Sequence, residues 1–254
     1  MLLSPLRYIN PISGNRGGSA AFSIAKSFYL DGVDEYFQLS NTDLDSVMVG
    51  SNLQFTILTS VKRNELSRLQ SLFAKDNVGA SRSFWLRFQS TNDLEFVVND
   101  GLSIKTDKWN FSTDLTQWYH LAIVFDYTDS GNFASLYSNG SLVAKTTQAT
   151  ISGNIATGSA NYHIGSSSTP GFYADLYQNQ LAVLDTPLSL AQYQNWYNNG
   201  QPKNPQSLFG SNCKFFFNPD DRSGDTAQFS VTNQGITATS VNLEDADLTS
   251  ITPY

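Results

Sequence analysis

Breaking a glycosidic bond with retention takes two carboxyl groups about 5–5.5 Å apart, one acting as nucleophile and the other as acid and base. Alternate residues of a β-strand share a face, so a string of the form Glu-x-Asp-x-(x)-Glu would set such groups side by side. The chain has four glutamates, Glu35, Glu65, Glu95 and Glu244, and none of them opens that string. Hydrolysis of this kind is not expected, and the chain reads as a non-enzyme. Asp31, Asp34 and Glu35 form the densest acidic group. Carboxylates and loop carbonyls suit calcium, a hard cation. The competing reading is a turn in which Asp31 and Asp34 bond their own backbone. Asp220, Asp221 and Asp225 have a similar composition without the spacing of a defined site.

Other reactive groups are sparse. His120 and His163 lie on separate apolar stretches, with no Cys or second His at metal-ligand spacing. No phosphate-binding loop or Ser-His-Asp arrangement follows a strand. Calcium is therefore the only cofactor with any support. Trp85, Trp109 and Tyr173, with Phe172 beside the last, fall at loop or outward positions. Rings placed there either stack on sugar faces or cover a rim or subunit contact. Asn110-Phe-Ser and Asn139-Gly-Ser match glycosylation sequons, but the second is better explained as a hairpin turn.

The elements that position these residues are strands. Asn52–Val61 alternates Leu53, Phe55 and Ile57 against Gln54 and Thr56, and Ser83–Gln89 turns Phe84, Leu86 and Phe88 inward against Trp85 and Arg87. Trp118–Phe125 is apolar at nearly every position, as expected of a strand covered on both faces. Core packing is expected to centre on Trp118, Leu121, Ile123, Phe125, Leu136 and Ile164. Asn139-Gly140 between two apolar runs is a strong hairpin signal. One helix is expected, capped by Ser189, with Tyr193, Trp196 and Tyr197 at helical spacing and Asn199-Gly200 as its stop.

With 254 residues the chain is long enough for one large all-β domain. Such a domain buries roughly 70–75% of the unfolded chain's surface and needs no staple. Cys213 is the only cysteine, so no internal disulfide forms. The opening Met1-Leu-Leu-Ser-Pro lacks the basic start of a signal peptide, and no stretch approaches the roughly 20 apolar residues of a membrane span. A net charge of −7 with scattered cations argues against nucleic acid as a partner.

Four strings in fixed order carry a family resemblance: Phe28–Leu39 with its Asp-Gly-Val-Asp-Glu, Trp118-Tyr-His at the head of an apolar strand, Leu136-Tyr-Ser-Asn-Gly140, and Leu188-Ser189 leading to Trp196–Gly200. Together they resemble the laminin G-like, concanavalin A-like lectin/glucanase jelly-roll family over about residues 25–205. The resemblance implies an all-β antiparallel β-sandwich with one short helix. Where that family usually carries an Asp-Glu pair before the helix, this chain has Asn179-Gln180, amides that cannot act as general acid or base at neutral pH.

Residues 1–24 and the stretch after 205 read as additions to that sandwich: an N-terminal arm, and a C-terminal extension over 206–254 ending in a second arm. Leu2, Leu3, Leu6, Tyr8 and Ile9 are apolar residues that an arm would bury against a neighbour. A disulfide-free sandwich with arms resembles virion proteins of tailed bacteriophages, as head decorations, fibres or tail-associated adhesins. Its expected partners are other virion proteins and further copies of itself, a trimer being favoured. Such a protein would be made in the host cytoplasm and carried on the virion. The alternative is a carbohydrate-binding receptor or adhesin module that engages a host surface glycan.

Overall fold

The computed structural model describes residues 22, 24–51, 53–76, 82–167, 172–223 and 230–253. Two antiparallel sheets face each other across an apolar core. The first runs β10 (Ser141–Val143), β9 (Ala134–Ser138), β8 (Tyr119–Asp126), β3 (Gln54–Arg63), β13 (Asp175–Leu184), β1 (Ser27–Asp31) and β18 (Leu248–Thr249), with β14 (Cys213–Phe217) also on β13. The second runs β11 (Lys145–Thr147), β7 (Ile104–Asn110), β6 (Asp93–Asn99), β5 (Phe84–Phe88), β4 (Gln70–Lys75), β12 (Tyr162–Ile164), β2 (Tyr36–Leu39), β17 (Ile236–Val241), β16 (Ser230–Asn233) and β15 (Arg222–Ser223). The fold is the all-β antiparallel sandwich that the sequence implies.

Alternation decides the layers. On β8, Leu121, Ile123 and Phe125 enter the core between the sheets, while Ala122 and Val124 point the other way into a second apolar cluster. That cluster is closed by helix α2 (Leu190–Tyr197), whose Tyr193 and Trp196 are fully buried; the helix takes the number α2 because one short turn, α1 (Asp45–Met48), precedes it. Ser189 and Gln192 form the expected capping box, and Asn198 ends the helix in the left-handed region at φ 47°. The β9–β10 hairpin turns on Asn139 and Gly140 at φ 43° and 88°, the two positive values a type I′ turn needs. Trp118 precedes β8 and is only half-buried, so it is not a core residue as expected.

The expected boundary at residue 205 does not exist in the sheets. β14 pairs with Leu181–Leu184, and its Phe215 and Phe217 enter the main core. The β16–β17 hairpin extends the second sheet from β2, Leu243 is fully buried, and β18 pairs with Ser27 and Phe28. β14, β17 and β18 each reach a partner that is not a neighbour in sequence: β14 lies 29 residues or more from its partners on β13, and Thr249 lies 222 residues from Ser27. The segment after 205, including its expected arm through Thr249, is thus sandwich. Ile24 is buried in the helix-side cluster, and Ala25 donates its N–H to Asp220 at 2.6 Å. Leu2, Leu3, Leu6, Tyr8 and Ile9 lie outside the described residues.

Phe125 stacks on Phe55 at 4.8 Å and 13°, and meets Phe96 and Phe133 at 6.2 and 5.8 Å. Truncating Phe125 to Ala removes the shared member of three ring contacts. A loss of about 3–5 kcal/mol is expected in urea unfolding.

Candidate functional site

The two outer faces of the sandwich differ. α2 and the residues around Cys213 and Phe216 cover the face of the first sheet over Leu58, Ala122, Val124, Ala182 and Leu184, while Tyr29, Lys62 and Tyr177 stay half-buried beyond that cover. Among the described residues, no helix covers the face of the second sheet. Ala74, Trp85, Glu95, Val97 and His163 are nonetheless buried there, while Tyr36, Gln38, Arg87, Lys108, Phe172 and Tyr173 keep part of their surface open. The outward residues of this sheet form rows set by strand register. Lys108 lies opposite Glu95, and Glu95 opposite Arg87. Arg87 Nη2 and Lys108 Nζ sit 2.7 and 2.5 Å from the Glu95 carboxylate, and Gln89 Nε2 donates to it at 2.7 Å. Burial alone would push that carboxyl up, but Lys108, Gln89 and Arg87 hold it below the ordinary carboxylate range.

Beside this ladder, Trp85 lies across from Ala74 and Val97 and packs against Phe172 at 5.1 Å. The Arg87 and Arg82 guanidinium groups stand 4.2 and 5.3 Å from its ring centre. Further along the sheet, Tyr36 meets His163 at 4.8 Å and Tyr173 at 6.2 Å. Burial pushes the His163 ring down to about 4, so it is neutral. Phe172, Tyr173, Tyr36 and Gln38 are half-buried, each with part of its surface open. Partly exposed rings beside fixed donors suit a ligand that is apolar on one side and rich in hydroxyls on its rim.

The three aromatics expected at exposed positions divide. Tyr173 reaches this face. Trp85 points to it as alternation requires, but only 2% of its surface is open because Phe172 and two guanidinium groups cover it. Trp109 lies on β7 in the main core at 0% exposure, not on a loop. Sequence reading missed Tyr36, Gln38, Arg87 and His163. Their signal was the alternation itself: Phe37 and Leu39 enter the core, so Tyr36 and Gln38 must face out.

The acidic group at the β1–β2 turn is occupied by its own backbone. Asp31 Oδ1 accepts the Val33 N–H at 2.7 Å, and Glu35 Oε2 accepts the Asp31 N–H at 2.5 Å, while Asp34 is exposed. Among the described residues no three His, Cys, Asp or Glu side chains gather closely enough to hold a metal ion. The expected calcium ligands thus do not converge. Asp220 accepts from Ala25, and Asp225 lies outside the described residues.

Two contacts have the form of catalytic pairs. Asp93 stands two residues before Glu95 on β6, an arrangement the Glu-x-Asp string does not cover. Glu95, however, is locked by two cations and an amide. Ser60 Oγ lies 2.8 Å from His120 Nδ1, and Gln180 donates to the same hydroxyl at 3.1 Å. Both residues are buried, with Trp196 and Tyr197 against the imidazole, and burial pushes His120 down to about 4.

This two-sheet frame with one open face is that of a lectin-like sandwich. The chain belongs to the concanavalin A-like lectin/glucanases superfamily, whose profile matches residues 31–192. A comparison with curated protein sequences gives no match. Among solved structures it is similar to a candidate carbohydrate-binding protein from Bacteroides ovatus, with TM-score 0.64 and 12% identity, over 90% of this chain and 60% of that one. It is also similar to the heptameric SAP-like pentraxin of Limulus polyphemus, with TM-score 0.51 and 17% identity, over 72% of this chain and 88% of that one. NanB sialidase of Streptococcus pneumoniae matches with TM-score 0.51 and 17% identity, over 68% of this chain and 28% of that one. The chain therefore spans less than two thirds of the first of these proteins and under a third of the last. At these identities the likeness is one of fold.

Burial, aided by the nearby Asp247 and Asp31 charges, raises the Glu35 carboxyl from 4.5 to about 8, against the opposing Asp31 N–H bond. The folded protein then holds a proton on Glu35 between those two values that the unfolded chain has released. Stability contributed by this group falls as pH rises through that window. Glu35→Gln should flatten the decline in urea midpoint from pH 4.5 to 8; equal slopes in both proteins would show that Glu35 titrates normally.

Proposed function

We propose that the protein is a non-catalytic carbohydrate-binding module whose contact surface is the open face of the second sheet. The observation that carries this reading is the row of half-buried rings on one face of the second sheet, with Tyr36 and Tyr173 at one end and Phe172 against Trp85 next to the Arg87–Glu95–Lys108 ladder. Rings take the C–H face of a pyranose, and fixed cations and amides bond its hydroxyls. The superfamily and the Bacteroides ovatus similarity support the same ligand class. Glu95, held ionised by its neighbours, is suited to orienting Arg87 and Lys108, not to donating a proton.

A glycan array with purified protein tests this. Tyr36→Ala and Tyr173→Ala should each weaken binding about two- to tenfold, the size of one aromatic contact at about 0.5–1.5 kcal/mol. β-Glucans and bacterial capsular polysaccharides should release no reducing ends. A blank array overturns the binding reading, and reducing-end release that depends on Glu95 overturns its non-catalytic part.

Under this proposal the module works on the particle of a tailed bacteriophage, made in the host cytoplasm, as a homo-oligomer whose glycan ligand is a host surface polysaccharide. The family resemblance supports that setting, as do the apolar residues Leu2, Leu3, Leu6, Tyr8 and Ile9 in a Pro- and Gly-containing N-terminal segment. The C-terminal segment gives it less support, since β18 is bound to β1. Deleting residues 1–20 should leave a folded sandwich that no longer joins its particle or oligomer. Unfolding on that truncation would place the segment in the core instead.

A further inference from the structure

A second site is built at the sandwich edge, away from the open face. Here the chain steps from the first sheet to the second through one residue, Ala144, between β10 and β11. These two strands are the edge members of their sheets, and a cleft of about 280 Å³ opens where they part. Trp109, Asn132, Leu142, Val143, Lys145 and Gln148 line it. That volume lies just under the roughly 300–1,000 Å³ of drug-sized sites, so it suits a single ring.

Its polar groups are held in place. Lys145 Nζ reaches Asp107 Oδ2 at 2.5 Å and Asn132 Oδ1 at 2.7 Å, and lies 5.9 Å from the Trp109 ring centre. Asp107 is fully buried and also accepts the Ala149 N–H at 2.8 Å. The pair is therefore internally neutral, and the cleft has no charge left to offer. Because Lys145 occupies its carbonyl oxygen, Asn132 retains an NH₂ donor. Gln148 Nε2 donates to the Gly131 carbonyl, which leaves its own oxygen as an acceptor. Trp109 is at 0% exposure, yet its Nε1–H has no hydrogen-bond partner among the described residues. Trp85 and Trp196 share this unpaired state, so the Trp109 indole forms a closed floor to the cleft and reports its occupancy without bonding a ligand. Leu142, 59% exposed, and Val143 supply an apolar wall.

We propose that this edge cleft binds one uncharged pyranose, with ring C–H groups against Leu142 and Val143, hydroxyls meeting Asn132 and Gln148, and the buried Trp109 indole as its floor. The inference rests on the carbohydrate-binding reading but assigns a site distinct from the sheet face. Its test is a titration of ¹⁵N-labelled protein with D-glucose, D-galactose, D-mannose and N-acetyl-D-galactosamine, and with sialic acid as the charged control. The four tryptophan indole N–H signals are followed. Trp109→Phe assigns its signal, or through-bond correlation does so where that variant fails to fold.

A saturable shift of the Trp109 indole with a neutral sugar and not with sialic acid is expected. It should weaken at least about tenfold in Leu142→Glu, whose side chain is too exposed to threaten the fold, and persist in Tyr173→Ala. A silent Trp109 signal overturns the cleft. If Tyr36→Ala and Tyr173→Ala still weaken array binding, the sheet face stands and only the cleft fails. A response equal for sialic acid, or unchanged in Leu142→Glu, also overturns it.

Discussion

The centre of the first sheet is buried on both sides, and the rest of the molecule is arranged around that requirement. Its central strands β3, β8 and β13 put Phe55, Ile57, Leu121, Ile123, Phe125, Leu181 and Val183 into the space between the sheets. Their alternate residues, Leu58, Ala122, Val124, Ala182 and Leu184, are equally apolar and need a second cover. α2 supplies it, which is why the capping box at Ser189 and the pair Tyr193 and Trp196 matter beyond one short helix. Eight residues of helix would be marginal alone; packing onto the sheet holds them. This cover spans the part of the sheet beneath α2, and the half-buried Tyr29, Lys62 and Tyr177 lie beyond it.

Charge inside the sandwich follows a different rule. Arg63 is fully buried at the end of β3, and no carboxylate lies within ion-pair distance of it among the described residues. Its guanidinium donates to Thr113 Oγ1 at 3.1 Å and the Leu66 carbonyl at 3.3 Å, and stands 4.4 Å over the Phe88 ring. Burial lowers it only to about 10, so it stays charged. Neutral oxygens and a ring face thus stand in for a counter-ion, and they tie the loops around residues 66 and 113 to β3. Lys75, by contrast, keeps a counter-ion: it pairs with Asp45 and also meets the Asn41 carbonyl and the Tyr162 ring. These cations join segments far apart in sequence, which gives them a positioning role that an apolar replacement would lack.

Local chemistry was readable in the sequence because it depends on neighbours along the chain. Asn139-Gly140, Ser189 with Gln192, and the alternation of Phe84, Leu86 and Phe88 each specify their own geometry. The placement of β14 on β13 and β17 on β2 was not readable, since nothing within either strand names a partner so far away. The aromatics show the same limit. Period-two alternation says which face of a sheet Trp85 occupies, but not that Phe172 and two arginines will lie across it. For Trp109 the strand itself was missed: Ile104–Asn110 is polar at most positions, so β7 did not look like a layer of the core.

The same physics separates recognition from catalysis on this scaffold. Acid and base work at a glycosidic bond needs two carboxyl groups whose environments push their pKa values apart. On the open face the environment does the reverse: Arg87, Lys108 and Gln89 draw Glu95 down and use its charge to fix their own positions. Of the carboxyls that burial pushes up, Asp107 pairs with Lys145, Asp175 accepts from Asn64, and Glu35 bonds the Asp31 N–H within the β1–β2 turn and so closes a loop. The Glu35 proton belongs to the folding equilibrium. A surface whose carboxylate is spent on holding cations still presents fixed donors beside partly exposed rings. Under the proposed function, that combination favours a ligand read by shape and hydroxyl pattern, with Glu95 held by its cations.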